Sequence, residues 1–361
     1  MTVSDSKGAV GGRHVSFLVP GSLDARTGGY EYDRRIVAAL RERGWIVDVR
    51  ELDASFPYPL PAALLEAGRE LAMVSDGGVV LIDGLAFGAM PDQVQREAGR
   101  LRLVALIHMP LDADVGLDAT AAARLGAAER FALRFAALIV STGTTTVRWI
   151  EAQKVPCPVV LVEPGTDRAA PARGSGSVDT VQLLSVGTIN PGKGHEMLIE
   201  ALSTIPERNW RLTCAGSLSR SPDTAERVRR LLDKRQLADR VTMTGELSQE
   251  ALSACYDSAD VFVLATLRET YGMAVAEAIA RGLPVISTAT GEIPNIVGDG
   301  GIIVPPGDAD ALTAALSSVL DDSALRDRLR ESAKLAGERL RTWDQAGDDM
   351  ADALERVAAN V

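Results

Sequence analysis

Short apolar runs alternate with amphipathic stretches along the whole chain. Val15 to Val19, Ile46 to Val49, Val79 to Ile82, Leu103 to Ile107 and Leu138 to Val140 read as strands. Between them, helical spacing of apolar residues covers segments near 29–43, 61–75, 118–135 and 143–153. Strands buried on both faces read as continuous apolar runs, and alternation with helices predicts right-handed βαβ crossovers in a parallel sheet. Glu163-Pro164-Gly165 and the Ala, Pro, Gly and Ser-rich stretch 169–177 then have turn and linker composition.

The alternation restarts beyond that linker. Strands are expected near 181–186, 210–215, 240–243, 261–264, 284–287 and 301–304, with helices near 194–203, 222–235, 248–257, 272–281, 309–320 and 323–338. The chain therefore divides into a doubly wound α/β domain over 1–165 and a second over 166–341. The stretch 342–361 has Met350, Leu354 and Val357 at helical spacing and is expected to be a helix that can pack back on the first domain. The two halves share no sequence repeat.

A length of 361 residues suits two cores, and 46% hydrophobic against 24% charged residues is ordinary globular composition. A net charge of -11 argues against nucleic acid as a partner, because phosphate neutralisation needs an excess of clustered Lys and Arg. No apolar run approaches the roughly 20 residues that span a bilayer. The polar start, Met1 to Arg13, lacks the apolar stretch of a signal peptide, so a cytoplasmic location is expected. Cys157, Cys214 and Cys255 are isolated and not in metal-ligand pairs, and are read as reduced.

The segment Arg268-Glu269-Thr270-Tyr271-Gly272-Met273-Ala274-Val275-Ala276-Glu277 follows the apolar strand Val261 to Leu264. This puts Glu269 in the loop leaving a parallel strand and Glu277 in the helix that starts near Gly272, at the sheet edge where open α/β sheets bind ligands. A helix start offers unpaired N–H groups and partial positive charge to a diphosphate, and nearby carboxylates accept hydrogen bonds from sugar or ribose hydroxyls. Spacing alone leaves open a helix-start acid and a solvated helix residue. Leu183 to Gly187 runs into Thr188-Ile189-Asn190-Pro191-Gly192-Lys193-Gly194, a loop whose lysine can act as a point charge on phosphate, or which is a plain turn. In the first half, Gly28-Gly29 opens a helix without the GxGxxG dinucleotide fingerprint, and His108 directly follows a strand. The two Asp-x-Asp spacings, Asp112-Ala113-Asp114 and Asp308-Ala309-Asp310, are not read as metal sites.

Glu269 and Glu277 with the intervening Tyr-Gly-Met, the Lys193 loop, Gly28-Gly29, His108 and the closing patterns Thr290 to Val297 and Gly300 to Asp308 together resemble family-four retaining glycosyltransferases of the GT-B fold. The resemblance implies two Rossmann-like domains facing across a cleft, the first for the acceptor and the second for a nucleotide diphosphate sugar, with UDP- or GDP-sugars expected. It implies that Glu269 contacts the donor hexose, Glu277 holds the ribose, Lys193 neutralises the leaving diphosphate and His108 contacts the sugar near the reaction centre. Gly28, Gly29, Thr188, Tyr271, Gly272 and Met273 are implied to line the donor site. An arginine often found beside the lysine is missing, with Thr188 and Gly192 at its usual places, which leaves Arg268 or backbone amides to complete the charge. The family usually works without metal or cofactor, and the acceptor expected here is a small molecule or saccharide. A lipid acceptor at a membrane surface, a nucleotide-sugar epimerase or hydrolase, and a non-catalytic nucleotide-sugar binder remain as alternatives.

Overall fold

A computed structural model describes residues 13–205 and 209–359. The polar start, apart from Arg13, and the last two residues of the C-terminal segment lie outside the described residues. The first sheet contains β1 (His14–Pro20), β2 (Ile46–Leu52), β3 (Val79–Asp83), β4 (Arg102–Ile107), β5 (Leu138–Ser141) and β6 (Val159–Leu161). Its helices are α1 (Gly28–Glu42), α2 (Pro61–Ala72), α3 (Gly84–Phe87), α4 (Pro91–Glu97), α5 (Ala119–Leu133) and α6 (Thr144–Ala152). The short α3 and α4 were not expected from periodicity. Asp83 caps α3 by accepting from Leu85 N at 2.8 Å, and Pro91 opens α4.

The second sheet contains β7 (Val181–Val186), β8 (Trp210–Ala215), β9 (Val241–Gly245), β10 (Val261–Leu264), β11 (Val285–Thr288) and β12 (Gly301–Val304). Around it lie α7 (His195–Thr204), α8 (Pro222–Lys234), α9 (Gln249–Ser258), α10 (Met273–Ala280), α11 (Ile293–Val297), α12 (Ala309–Asp321) and α13 (Ser323–Gly337). All pairings are parallel, in the orders β2-β1-β3-β4-β5-β6 and β12-β11-β10-β7-β8-β9. β3 and β10 are buried along their whole length, as expected of strands covered on both faces. The last helix, α14 (Trp343–Ala359), returns to the first domain, where Met350 and Leu354 are fully buried among Val15, Ile36, Leu40 and Leu81. No described helix is long and apolar enough to cross a membrane.

These strand orders fix where ligands can bind. The order reverses between β1 and β3 in one sheet and between β7 and β10 in the other, so the connections at those carboxyl ends diverge and leave a crevice. Asp83 ends β3 and the Gly28-Gly29 loop follows β1; the Lys193 loop follows β7 and the Glu269 loop follows β10. Every candidate is at or beside a switch point.

Candidate active site

The second-domain site is built by two loops tied together. Gly192 O accepts from Leu267 N at 2.7 Å and from Thr266 Oγ1 at 3.0 Å, which fastens the β7 exit loop to the β10 exit loop. Gly194 adopts φ 67°, and a Cβ there would land on the Ala265 carbonyl, so only glycine lets the loops approach this closely. Asn190 Oδ1 accepts from Lys193 N at 3.1 Å and holds the turn. The consequence is a direct ion pair between Lys193 Nζ and Glu269 Oε2, both side chains largely covered.

Gly272, at φ 100°, leads into α10 with Ile293 packed beneath it. Met273 opens that helix and Glu277 lies one turn on. Burial pushes the Glu277 carboxyl above its usual range, opposed by the Tyr256 phenol and the Arg281 guanidinium. Glu31 and Asp167 also act on it, so Glu277 faces first-domain and linker groups. Thr188 is half-buried beside the Gly187 turn, and Arg268 is exposed, its carbonyl accepting from Thr266 Oγ1 at 2.9 Å and its guanidinium without a partner among the described residues. Tyr271 does not join this group. Its ring is buried among Val275, Ile279 and Ile293, and its phenol is near Thr166 and Glu163 of the linker.

In the first domain, Thr27 caps α1 and Gly28-Gly29 form its first turn. A Cβ on Gly28 would lie 3.7 Å from Met273 Sδ, so the starts of α1 and α10 meet across the cleft. A Cβ on Gly29 would lie 3.5 Å from His108 Cδ2, which places the histidine behind the same turn. The loop after His108 reaches the other domain, with Gly116 3.7 Å from Pro191 Cγ when given a Cβ. His108, Gly28, Gly29, Met273, Lys193 and Glu269 thus sit along one seam.

Sequence reasoning missed two carboxylates. Asp33, on the second turn of α1, and Asp83 are both buried, and His108 Nε2 lies 3.1 Å from Asp33 Oδ1 and 3.5 Å from Asp83 Oδ2. The Tyr32 ring meets His108 edge-on at 5.2 Å. Burial disfavours the charged imidazole, but the Asp33 carboxylate and then Asp83 outweigh it and hold His108 above the usual histidine range. Burial, with Asp33 adding to it, lifts Asp83 to about 7. Asp83 carried a signal that could have found it: like His108, it ends a fully apolar strand at the ligand-binding edge. Asp33, between Tyr32 and Arg34, carried none.

The same three groups are close enough to surround a cation, with their nearest atoms within 4.8 Å of one another. The geometry is equally that of a proton shared between one imidazole and two carboxylates. Two hollows of about 240 and 560 Å³ lie beside the linker and share no lining residue with the seam. What the seam offers chemically is the start of two helices, one lysine and one histidine facing a space flanked by Glu269 and Glu277. Helix starts and cations favour a diphosphate, and carboxylates favour hydroxyls.

Residues 172–336 match the family model of Glycosyl transferases group 1. The chain is 32% identical over 177 residues to a D-inositol 3-phosphate glycosyltransferase of Xylanimonas cellulosilytica, spanning 48% of this chain and 42% of that one. It is 30% identical over 179 residues to the alpha-D-kanosaminyltransferase of Streptomyces kanamyceticus, spanning 48% of this chain and 45% of that one. The matched stretch is thus less than half the length of these relatives. Over the whole molecule the fold is similar to sucrose-phosphate synthase from Thermosynechococcus elongatus, with TM-score 0.82, 22% identity, and 97% and 100% of the two chains covered. It is also similar to Anabaena HepE in complex with UDP-glucose, with TM-score 0.75, 16% identity, and 95% and 99% covered.

Proposed function

We propose that this chain of GT-B fold, whose residues 172–336 match the glycosyl transferases group 1 model, moves a hexosyl group from a nucleotide diphosphate sugar onto a small-molecule or saccharide acceptor, with retention of configuration. The observation that carries this reading is the Lys193–Glu269 pair at the second switch point, facing Gly28-Gly29 and His108 across the seam. In it, the diphosphate lies between the starts of α1 and α10, Glu277 accepts from the ribose and Glu269 accepts from hexose hydroxyls. As the glycosidic bond breaks, negative charge grows on the leaving diphosphate, and Lys193 with the two helix starts stabilises it where it forms. The acceptor attacks the oxocarbenium-like centre from the same face. The reading assigns this stabilisation to protein groups and no step to a metal. It draws support from the UDP-glucose complex of the HepE neighbour and from relatives named for D-inositol 3-phosphate.

The test is thermal unfolding against UDP, GDP, ADP and their sugar conjugates. A ligand at 100 times its dissociation constant stabilises the native state by about 2.7 kcal/mol. One nucleotide series is expected to raise the unfolding temperature, and Glu277→Ala to abolish the rise. No response to any of them would sink the donor assignment. Release of free sugar with no acceptor transfer would move the chain to the hydrolases.

A further inference from the structure

His108 is more firmly constrained than a residue that only borders a cleft needs to be. Its Nε2 is turned inward onto two carboxylates brought by different elements, Asp33 from α1 and Asp83 from the end of β3. Both carboxylates are withdrawn from solvent, and Asp33 Oδ2 has no hydrogen-bond partner among the described residues. Asp83 Oδ1 is committed to Leu85 N at 2.8 Å, leaving Oδ2 for the ring. Two buried carboxylates this close repel each other, which helps lift Asp83 to about 7, and a positive charge beside them relieves that repulsion. The other ring nitrogen, Nδ1, has no partner among the described residues and is not among the buried unpaired atoms, so it is open to the seam. The remaining polar neighbours do not supply a competing cation. Tyr32 contributes a ring edge, with its hydroxyl donating to Val162 O at 2.9 Å, and the Tyr30 hydroxyl donates to Pro20 O. Arg220 acts on Tyr30 and not on His108 or Asp83, and Thr142 Oγ1 donates to the His108 carbonyl rather than to its ring.

We propose that Asp33 and Asp83 are positioning residues that hold His108 as a cation, with Nε2–H donated to the carboxylates and Nδ1–H presented to an oxygen of the bound sugar nucleotide. The substrate half of this rests on the function proposed above; the charge half does not. A neutral imidazole would present either a donor or a bare lone pair at Nδ1 according to its tautomer, whereas the cation always presents a donor. The carboxylates thus fix both the direction of the ring and the sense of its hydrogen bond, and the N–H is in place before charge develops on the substrate.

The experiment is an NMR titration of the imidazole signals in the full chain, beside the pH dependence of kcat/KM for transfer. The chain has only three histidines, and the loss of one signal in His108→Gln identifies its own. His195 is held neutral by burial down to about pH 4 and stays silent above it. The His108 ring of the wild type is expected to remain charged at pH 7. Asp33→Asn, which preserves shape, is expected to lower its midpoint by at least about one pH unit, as removal of a close opposite charge does. Asp83→Asn, which retains an acceptor for Leu85 N, should act in the same direction and serves if the first variant is poorly folded. The alkaline limb of kcat/KM should move to lower pH with the midpoint. A smaller shift in both folded variants, or a wild-type ring already neutral at pH 7, overturns the proposal. So does stabilisation of the wild type by added Zn²⁺ or Mn²⁺ that is lost in Asp33→Asn, since a metal there needs the ring deprotonated. Expected titrations with no transfer from any donor would instead remove the glycosyltransferase reading and leave the charge assignment standing.

Discussion

Glu129 lies on α5 with no exposed surface, its Oε2 accepting from Leu111 N at 2.9 Å and its Oε1 without a partner among the described residues. Burial raises its carboxyl from 4.5 to about 8, so the native state holds a proton that the unfolded chain releases. Between those values the unfolded state binds fewer protons than the native state, and stability falls as pH rises. Glu129→Gln keeps the acceptor and removes the titration. We expect the variant to match the wild type near pH 5 and to exceed it by about 2–4 kcal/mol near pH 8, by urea unfolding. Equal pH slopes for the two proteins would mean that the carboxylate is solvated in a way its surroundings do not suggest. Sequence alone gives Glu129 no distinction from any helical glutamate, because what sets it apart is the loop folded over it. The same holds for Asp33, whose neighbours Tyr32 and Arg34 read as an ordinary helix surface. Tyr271 is the opposite case. Its place in a recognisable motif suggested donor contact, while the core of the second domain takes up its ring. A motif reports which residues are near a site; which way each side chain turns is decided by packing.

At the scale of elements, the loop from β7 to α7 shows how much rests on a single turn. Gly194 needs a left-handed backbone, and an added Cβ would meet the Ala265 carbonyl, so Gly194→Ala must strain the turn and push apart the two loops that bring Lys193 to Glu269. The expected loss is about 2–4 kcal/mol in urea unfolding, with weaker nucleotide stabilisation. Gly77, at φ 77° with nothing within 4 Å of its would-be Cβ, isolates the cost of the backbone conformation, and Gly77→Ala should lose only about 1–2 kcal/mol. If both substitutions cost the same, the contact with Ala265 is not what makes glycine necessary. Most strands were legible because a buried parallel strand is a continuous apolar run, as in β3, β4 and β10. α3 and α4 were not, because one or two turns starting at Asp83 and Pro91 are too short to show a helical period. Strand order was not legible either, and it is strand order that brings Asp83 beside His108.

For the whole molecule, the path of the chain sets how the two domains depend on each other. It leaves the first domain near Glu163, builds the second, and returns through α14, whose Trp343 ring contacts Tyr32 at 6.0 Å and whose Asp344 pairs with Arg43 at 2.6 Å. Polar contacts also join the domains. Thr144 N donates to Glu292 Oε1 at 2.9 Å, so a second-domain carboxylate caps α6, and Arg35 pairs with Asp167 of the linker. Partly exposed pairs of this kind contribute little, roughly 0–1 kcal/mol each. The apolar face of α14 contributes far more, and it belongs entirely to the first core. Met350 is fully buried there, so Met350→Ala should remove about 2–5 kcal/mol from that core alone. Hydrogen exchange is the measurement that separates the domains. Protection should fall in β1, α1 and β3 and persist in β7, β10 and α10. A uniform loss across both sheets would show that the interdomain contacts couple the two cores into one unfolding unit, and the cleft would then open only as the fold itself loosens.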